Sequence, residues 1–161
     1  MASKASIMGH PVHPMLIPFP LALWVFSFIA DVLYLIRGHV VWVVLAKYTL
    51  AGGIIGGLLA AVPGIIDWLA LKSGEVKTIA NWHARLNVIA LLIFAASLYL
   101  RTRYGAPMVN GSLTIPILLS GLGVILISIS GWLGGSLSYD HGVGVKPQHD
   151  SPEQEAAKLR F

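Results

Sequence analysis

The chain has no cysteine, which excludes disulfides, thiolate-held iron–sulfur centres and covalent attachment of a c-type haem. Charge is nearly as scarce. Asp, Glu, Lys and Arg make up 11% of the 161 residues, against roughly 25% in soluble domains. The net charge of +4 is scattered over loops and ends with no basic cluster, so nucleic acid is not an expected partner and anionic lipid headgroups suit the chain better. No His-Glu-x-x-His, Gly-x-Ser-x-Gly or Gly-x-x-x-x-Gly-Lys occurs, so an electron carrier or a subunit is expected ahead of a stand-alone enzyme. There is no low-complexity tract, and no repeat of fixed period is visible.

What the chain has in abundance is apolar side chains, 56% of the total, with a mean hydropathy of +0.76. A core of this length cannot enclose so much apolar surface, so the solvent must be lipid. Four runs are long enough to cross a bilayer, which takes roughly 20 residues. The first spans about Pro18 to Ile36, after an entry broken by Pro11, Pro14, Pro18 and Pro20. It is too long for the apolar region of a signal peptide and no small-residue cleavage site closes it, so it is expected to remain as a span. The second spans about Trp42 to Leu71, with small-xxx-small patterns at Gly52, Gly53, Gly56 and Gly57 and a kink expected at Pro63-Gly64. The third spans about Ile79 to Leu100. The fourth spans about Ser112 to Leu133, inside a stretch with no charged residue between Arg103 and Asp140. Ser151, Pro152 and Gln154 predict a short C-terminal surface helix. The expected architecture is an all-α membrane protein, with an antiparallel four-helix bundle over residues 1–145 and a polar tail over 146–161.

Four crossings put the N-terminus, the loop after the second span and the C-terminus on one membrane face. His10 and His13 open the first span, Asp67 closes the second, His83 opens the third and His141 follows the fourth. An even number of passes therefore gathers scattered imidazoles at one end. Ionisable groups at membrane depth are costly and face the bundle interior, and neutral imidazole is the commonest metal ligand. Asp67 is a candidate to orient an imidazole or to ligate directly. On the far side Asp31 is expected to pair with Arg37 or Arg101. Tryptophans 24, 42, 68, 82 and 132 are read mainly as interfacial anchors, and His39 and His149 as surface residues. Lysine and arginine counts do not separate the two faces, so orientation stays open.

Gly9-His10-Pro11-Val12-His13-Pro14, with Phe19-Pro20 and Asp31, resembles the opening of a bacterial membrane-protein family, DUF2231. Gly131-Trp132-Leu133-Gly134-Gly135 and His141-Gly142-Val143-Gly144-Val145 resemble its closing motif. The resemblance carries over directly to His10, His13 and His141, and it implies an integral protein of the bacterial inner membrane. The family is described as a domain of unknown function. Some members are fused to Rieske-type or cytochrome-type domains, which implies electron transfer, here to a separate redox partner protein or a quinone.

Three functions follow from these residues. In the first, haem b is held by two of His10, His13, His83 and His141, the favoured pairs being His13 with His83 or His10 with His141, and Arg85 pairs with a propionate. In the second, the histidines and Asp67 bind zinc, copper or iron without porphyrin. In the third, the chain is a cofactor-free structural subunit, able to form oligomers, whose histidines only bond one another and the backbone.

Overall fold

The computed structural model describes residues 3–103 and 113–145. The predicted surface helix of the tail, and His149, lie outside the described residues. A small β-hairpin comes first, β1 (Ser6–Ile7) against β2 (His10–Pro11), antiparallel with Ile7 opposite His10. Its two-residue turn has Met8 at φ 51° and Gly9 at φ 80°, the doubly left-handed pattern that matches strand twist in tight hairpins. Five helices follow: α1 (Val12–Leu16), α2 (Pro18–Arg37), α3 (Val40–Ala70), α4 (Glu75–Arg103) and α5 (Thr114–Tyr139). The proline-rich entry is thus a short helix broken at Ile17, and regular helix begins at Pro18, as the proline spacing predicts.

α1 and α2 together, and α3, α4 and α5 singly, are long and apolar enough to cross a membrane, with mean hydropathy between 1.6 and 2.0. At 31 residues, α3 runs roughly 45 Å and must tilt or project beyond the hydrocarbon layer. α2 stops at Gly38, whose φ of 69° is open to glycine and whose amide closes the last turn on the Tyr34 carbonyl. That leaves a two-residue link to α3 and forces an antiparallel pair. α2 packs mainly on α3 and α4 mainly on α5; lighter contacts of α3 with α4 and α2 with α5 close the ring. Large apolar side chains such as Leu58, Leu92, Leu118 and Ile125 point outward, which water would penalise and lipid does not.

The second pair of helices repeats the first. Ser27 donates to the Ala46 carbonyl and Ser97 to that of Pro116, each across 19 residues. His13 bonds the Ala60 carbonyl and His83 that of Ser130, each across 47. Gly53 lies beneath the Trp24 ring and Gly123 beneath that of Phe94. The shift relating the halves is 70 residues, the separation of Asp31 from Arg101. Three equivalent pairs meet: His13 with His83, Trp24 with Phe94, and Asp31 with Arg101. A residue that touches its own equivalent lies on the axis relating the two copies, so a pseudo-two-fold axis runs along the bundle between the hairpins. The absence of a visible repeat in the sequence is therefore corrected. The repeat is hidden because equivalent positions hold different residues: Trp and Phe, Asp and Arg, Ala60 and Ser130.

The core follows the same axis. Trp24 stacks on Phe94 with ring centroids 4.6 Å apart, among Leu50, Ala90 and Ile127. The glycines of α3 are the floor for this packing: a Cβ at Gly53 would lie 2.5 Å from the indole and one at Gly57 2.7 Å from it. Trp24 is therefore a core residue rather than an interfacial anchor, while Trp82 and Trp132 are exposed.

Candidate functional site

At the histidine end the axis passes between His13 and His83. Their ring centroids are 6.5 Å apart and the planes perpendicular. Each imidazole rests on a glycine of the partner helix in its own hairpin. A Cβ at Gly64 would stand 2.8 Å from His13 Cε1, and one at Gly134 3.0 Å from His83 Cε1. Any larger residue would displace the ring. Pro63 precedes Gly64 but is not required for this seat, since the second hairpin builds it with Leu133 in the equivalent place.

The hydrogen bonds settle the tautomers. A carbonyl oxygen only accepts, so His13 Nδ1 carries its proton and donates to Ala60 O at 2.7 Å. His83 Nδ1 likewise donates to Ser130 O at 2.8 Å, with Ser130 Oγ 3.0 Å away as a second acceptor. The Ser130 hydroxyl proton goes to the His83 carbonyl at 3.2 Å. In its neutral form each ring then has its lone pair at Nε2, the arrangement that orients a metal-binding imidazole and strengthens it as a donor.

The other predicted residues lie at the same end without joining this pair. His10 is exposed in β2. His141 is half-buried just past α5, where its amide bonds Ser136 O. Asp67 ties down the N-terminal segment: its carboxylate accepts from Ser3 Oγ at 2.8 Å, Lys4 N at 2.7 Å and Ala5 N at 3.0 Å. The partner that orients each imidazole is thus a backbone carbonyl, not Asp67. Arg85 is exposed, its guanidinium 5.3 Å from the Trp82 ring centroid. Among the described residues, no group of three or more His, Cys, Asp or Glu is placed to hold a metal ion. Asn87 and Ser130, which no sequence motif marks as site residues, bond the His83 ring, and Gly64 and Gly134, marked in the sequence only as a kink and as part of the closing motif, seat the two imidazoles.

At the far end of the axis Arg101 and Asp31 form a two-pronged pair, Nη1 to Oδ1 at 2.7 Å and Nη2 to Oδ2 at 2.6 Å. Asp31 is 1% exposed and Arg101 3%. Ser120 Oγ accepts from Nη2 and Ser97 Oγ from Nε. Of the two cations expected for Asp31, Arg101 is the partner.

A family model described as a predicted membrane protein, DUF2231, matches residues 9–147. The chain belongs to this family. The match takes in both helical hairpins, His13 and His83 on the symmetry axis, and the Asp31–Arg101 pair. No curated protein and no solved structure matches the chain.

Proposed function

We propose that the protein is a haem b-binding electron-transfer module of the bacterial inner membrane, with His13 and His83 as the two axial ligands. The supporting observation is a pair of imidazoles on the pseudo-two-fold axis, each with Nδ1 tied to a carbonyl and centroids 6.5 Å apart. Metal–imidazole bonds of about 2 Å, with each ring centre about 1 Å behind its nitrogen, put two opposed imidazoles about 6 Å apart. The number of donors favours haem over a bare ion. Zinc takes three or four protein ligands, and the described residues bring two imidazoles together. A porphyrin brings four nitrogens and asks the protein for two.

When bound, the iron would accept and release one electron. The protein's own residues do the rest. Gly64 and Gly134 leave room for the rings, Ala60 and Ser130 hold their tautomers, and the apolar helices keep water away. A separate redox protein or a quinone would exchange electrons at this face.

The test is purification in mild detergent after expression with a haem precursor, then reduced-minus-oxidised spectra and a pyridine haemochrome assay. The expected result is a six-coordinate low-spin spectrum that His13→Ala and His83→Ala each abolish. Wild-type protein without a Soret band ends this reading. Metal found by elemental analysis without porphyrin absorbance would replace it with a non-haem centre.

A further inference from the structure

The surroundings of His13 have counterparts around His83, with two breaks beside the rings: Ser130 stands where Ala60 does, and Asn87 where Ile17 does. One helical turn after His83 stands Asn87; one turn after His13 stands Ile17. The two positions are locally equivalent, because Ile17, though it is the turn between α1 and α2, keeps right-handed helical dihedrals of φ −53° and ψ −38° and its amide bonds His13 O at 3.2 Å. The Asn87 amide nitrogen lies 2.9 Å from His83 O and 3.1 Å from His83 Nε2. Its two hydrogens serve these two acceptors, which suits an Nε2 that carries a lone pair. His13 Nε2 has no hydrogen-bond partner among the described residues. Symmetry makes the two imidazoles alike in position; Asn87 makes them unlike as donors. One lone pair is bare and the other is occupied.

We infer that His13 is the permanent ligand of this site and His83 an exchangeable one, with Asn87 as the positioning residue that receives the His83 ring when it lets go. The inference rests on the haem reading above and deepens it. Were haem bound, the place held by His83 would be open to a small neutral diatomic ligand such as carbon monoxide. With His83 released, its Nε2 would again accept from the Asn87 amide, and no charge or proton would be left over. A neutral hydrogen bond biases such an exchange by up to roughly tenfold.

The experiment is a carbon monoxide titration of the reduced, haem-loaded full chain in detergent, read at the Soret band. Asn87→Ile makes the second half like the first at this position and should lower carbon monoxide affinity about fivefold, because His83 then has no competing partner in Asn87. Ile17→Asn should raise it by about twofold, because displacement of His13 is then assisted as well as displacement of His83. His83→Ala should keep haem in a five-coordinate form, whereas His13→Ala should lose it during purification. Equal affinity in the wild type, Asn87→Ile and Ile17→Asn overturns this inference and leaves the haem reading standing, as does a wild-type haem that saturating carbon monoxide cannot reach. No Soret band in any variant overturns both.

Discussion

The two helical hairpins of this chain reach the same geometry with different residues. α2 and α3 seat His13 on Gly64 and stack Trp24 over Gly53; α4 and α5 seat His83 on Gly134 and stack Phe94 over Gly123. At four of these seats the halves agree in size, with Gly53 and Gly123 under the large rings and Gly64 and Gly134 under the imidazoles, and a small residue supplies each accepting carbonyl. Where a position lies on the axis at the far end, they are opposite, Asp31 against Arg101. A dimer of identical hairpins would place like charges together there, without water to screen them. Fusing two hairpins into one chain allows the axis to be polar and complementary, and it frees each histidine to acquire its own neighbours.

The largest expected effect comes from breaking complementarity on the axis. Asp31→Arg or Arg101→Asp alone buries two like charges, and removing one partner of a buried pair costs about 3–5 kcal/mol. Each single variant should lose monodisperse protein in detergent gel filtration. The double variant Asp31→Arg/Arg101→Asp should recover part of the thermal stability, since the halves are equivalent. Its recovery should be incomplete, because Leu50 stands where Ser120 assists Arg101; adding Leu50→Ser and Ser120→Leu should complete it. A double variant no more stable than the singles would refute the equivalence.

Next is the seat under each imidazole. Gly64→Ala introduces a Cβ 2.8 Å from His13, and Gly134→Ala one 3.0 Å from His83. Overpacking of this kind costs about 1–3 kcal/mol, and the first substitution should lower the melting temperature more than the second. A reversed order would show that His83 is the more constrained ring. Smaller again is Ser130→Ala, which makes the second half like the first at Ala60. It removes two neutral hydrogen bonds at His83 and should cost about 1 kcal/mol. Smallest is Trp24→Phe, which makes the first half like the second. The buried indole Nε1 has no hydrogen-bond partner, so losing it offsets the loss of ring area, and stability should stay within about 1 kcal/mol.

Much of the fold is legible along the chain because lipid imposes a simple rule: long apolar runs must be helices, and their number sets which ends share a face. Proline at positions 11, 14, 18 and 20 marks the broken entry, and Gly38 marks the tight link between α2 and α3. The histidine face is legible for the same reason. Membership of the site is less so. His10, His13, Asp67, His83, Arg85 and His141 all reach one end, yet the pair that meets is His13 with His83, because those two stand on the axis. Asp67 looks like a site carboxylate and is a clasp for Ser3, Lys4 and Ala5. Asn87 carries no signal in a single sequence, since its meaning depends on a ring one turn away and on Ile17 in the other half.

By itself, the order of apolar and polar residues determined that this chain crosses a membrane four times as helices and brings its ionisable groups to two opposite ends. That follows from local hydropathy and backbone satisfaction, which act within each run. Only the tertiary structure decided that the halves are copies, that Asp31 answers Arg101 and that His13 faces His83. Those facts belong to a symmetry axis between helices, and an axis relates positions through space that neighbouring residues in the sequence do not encode.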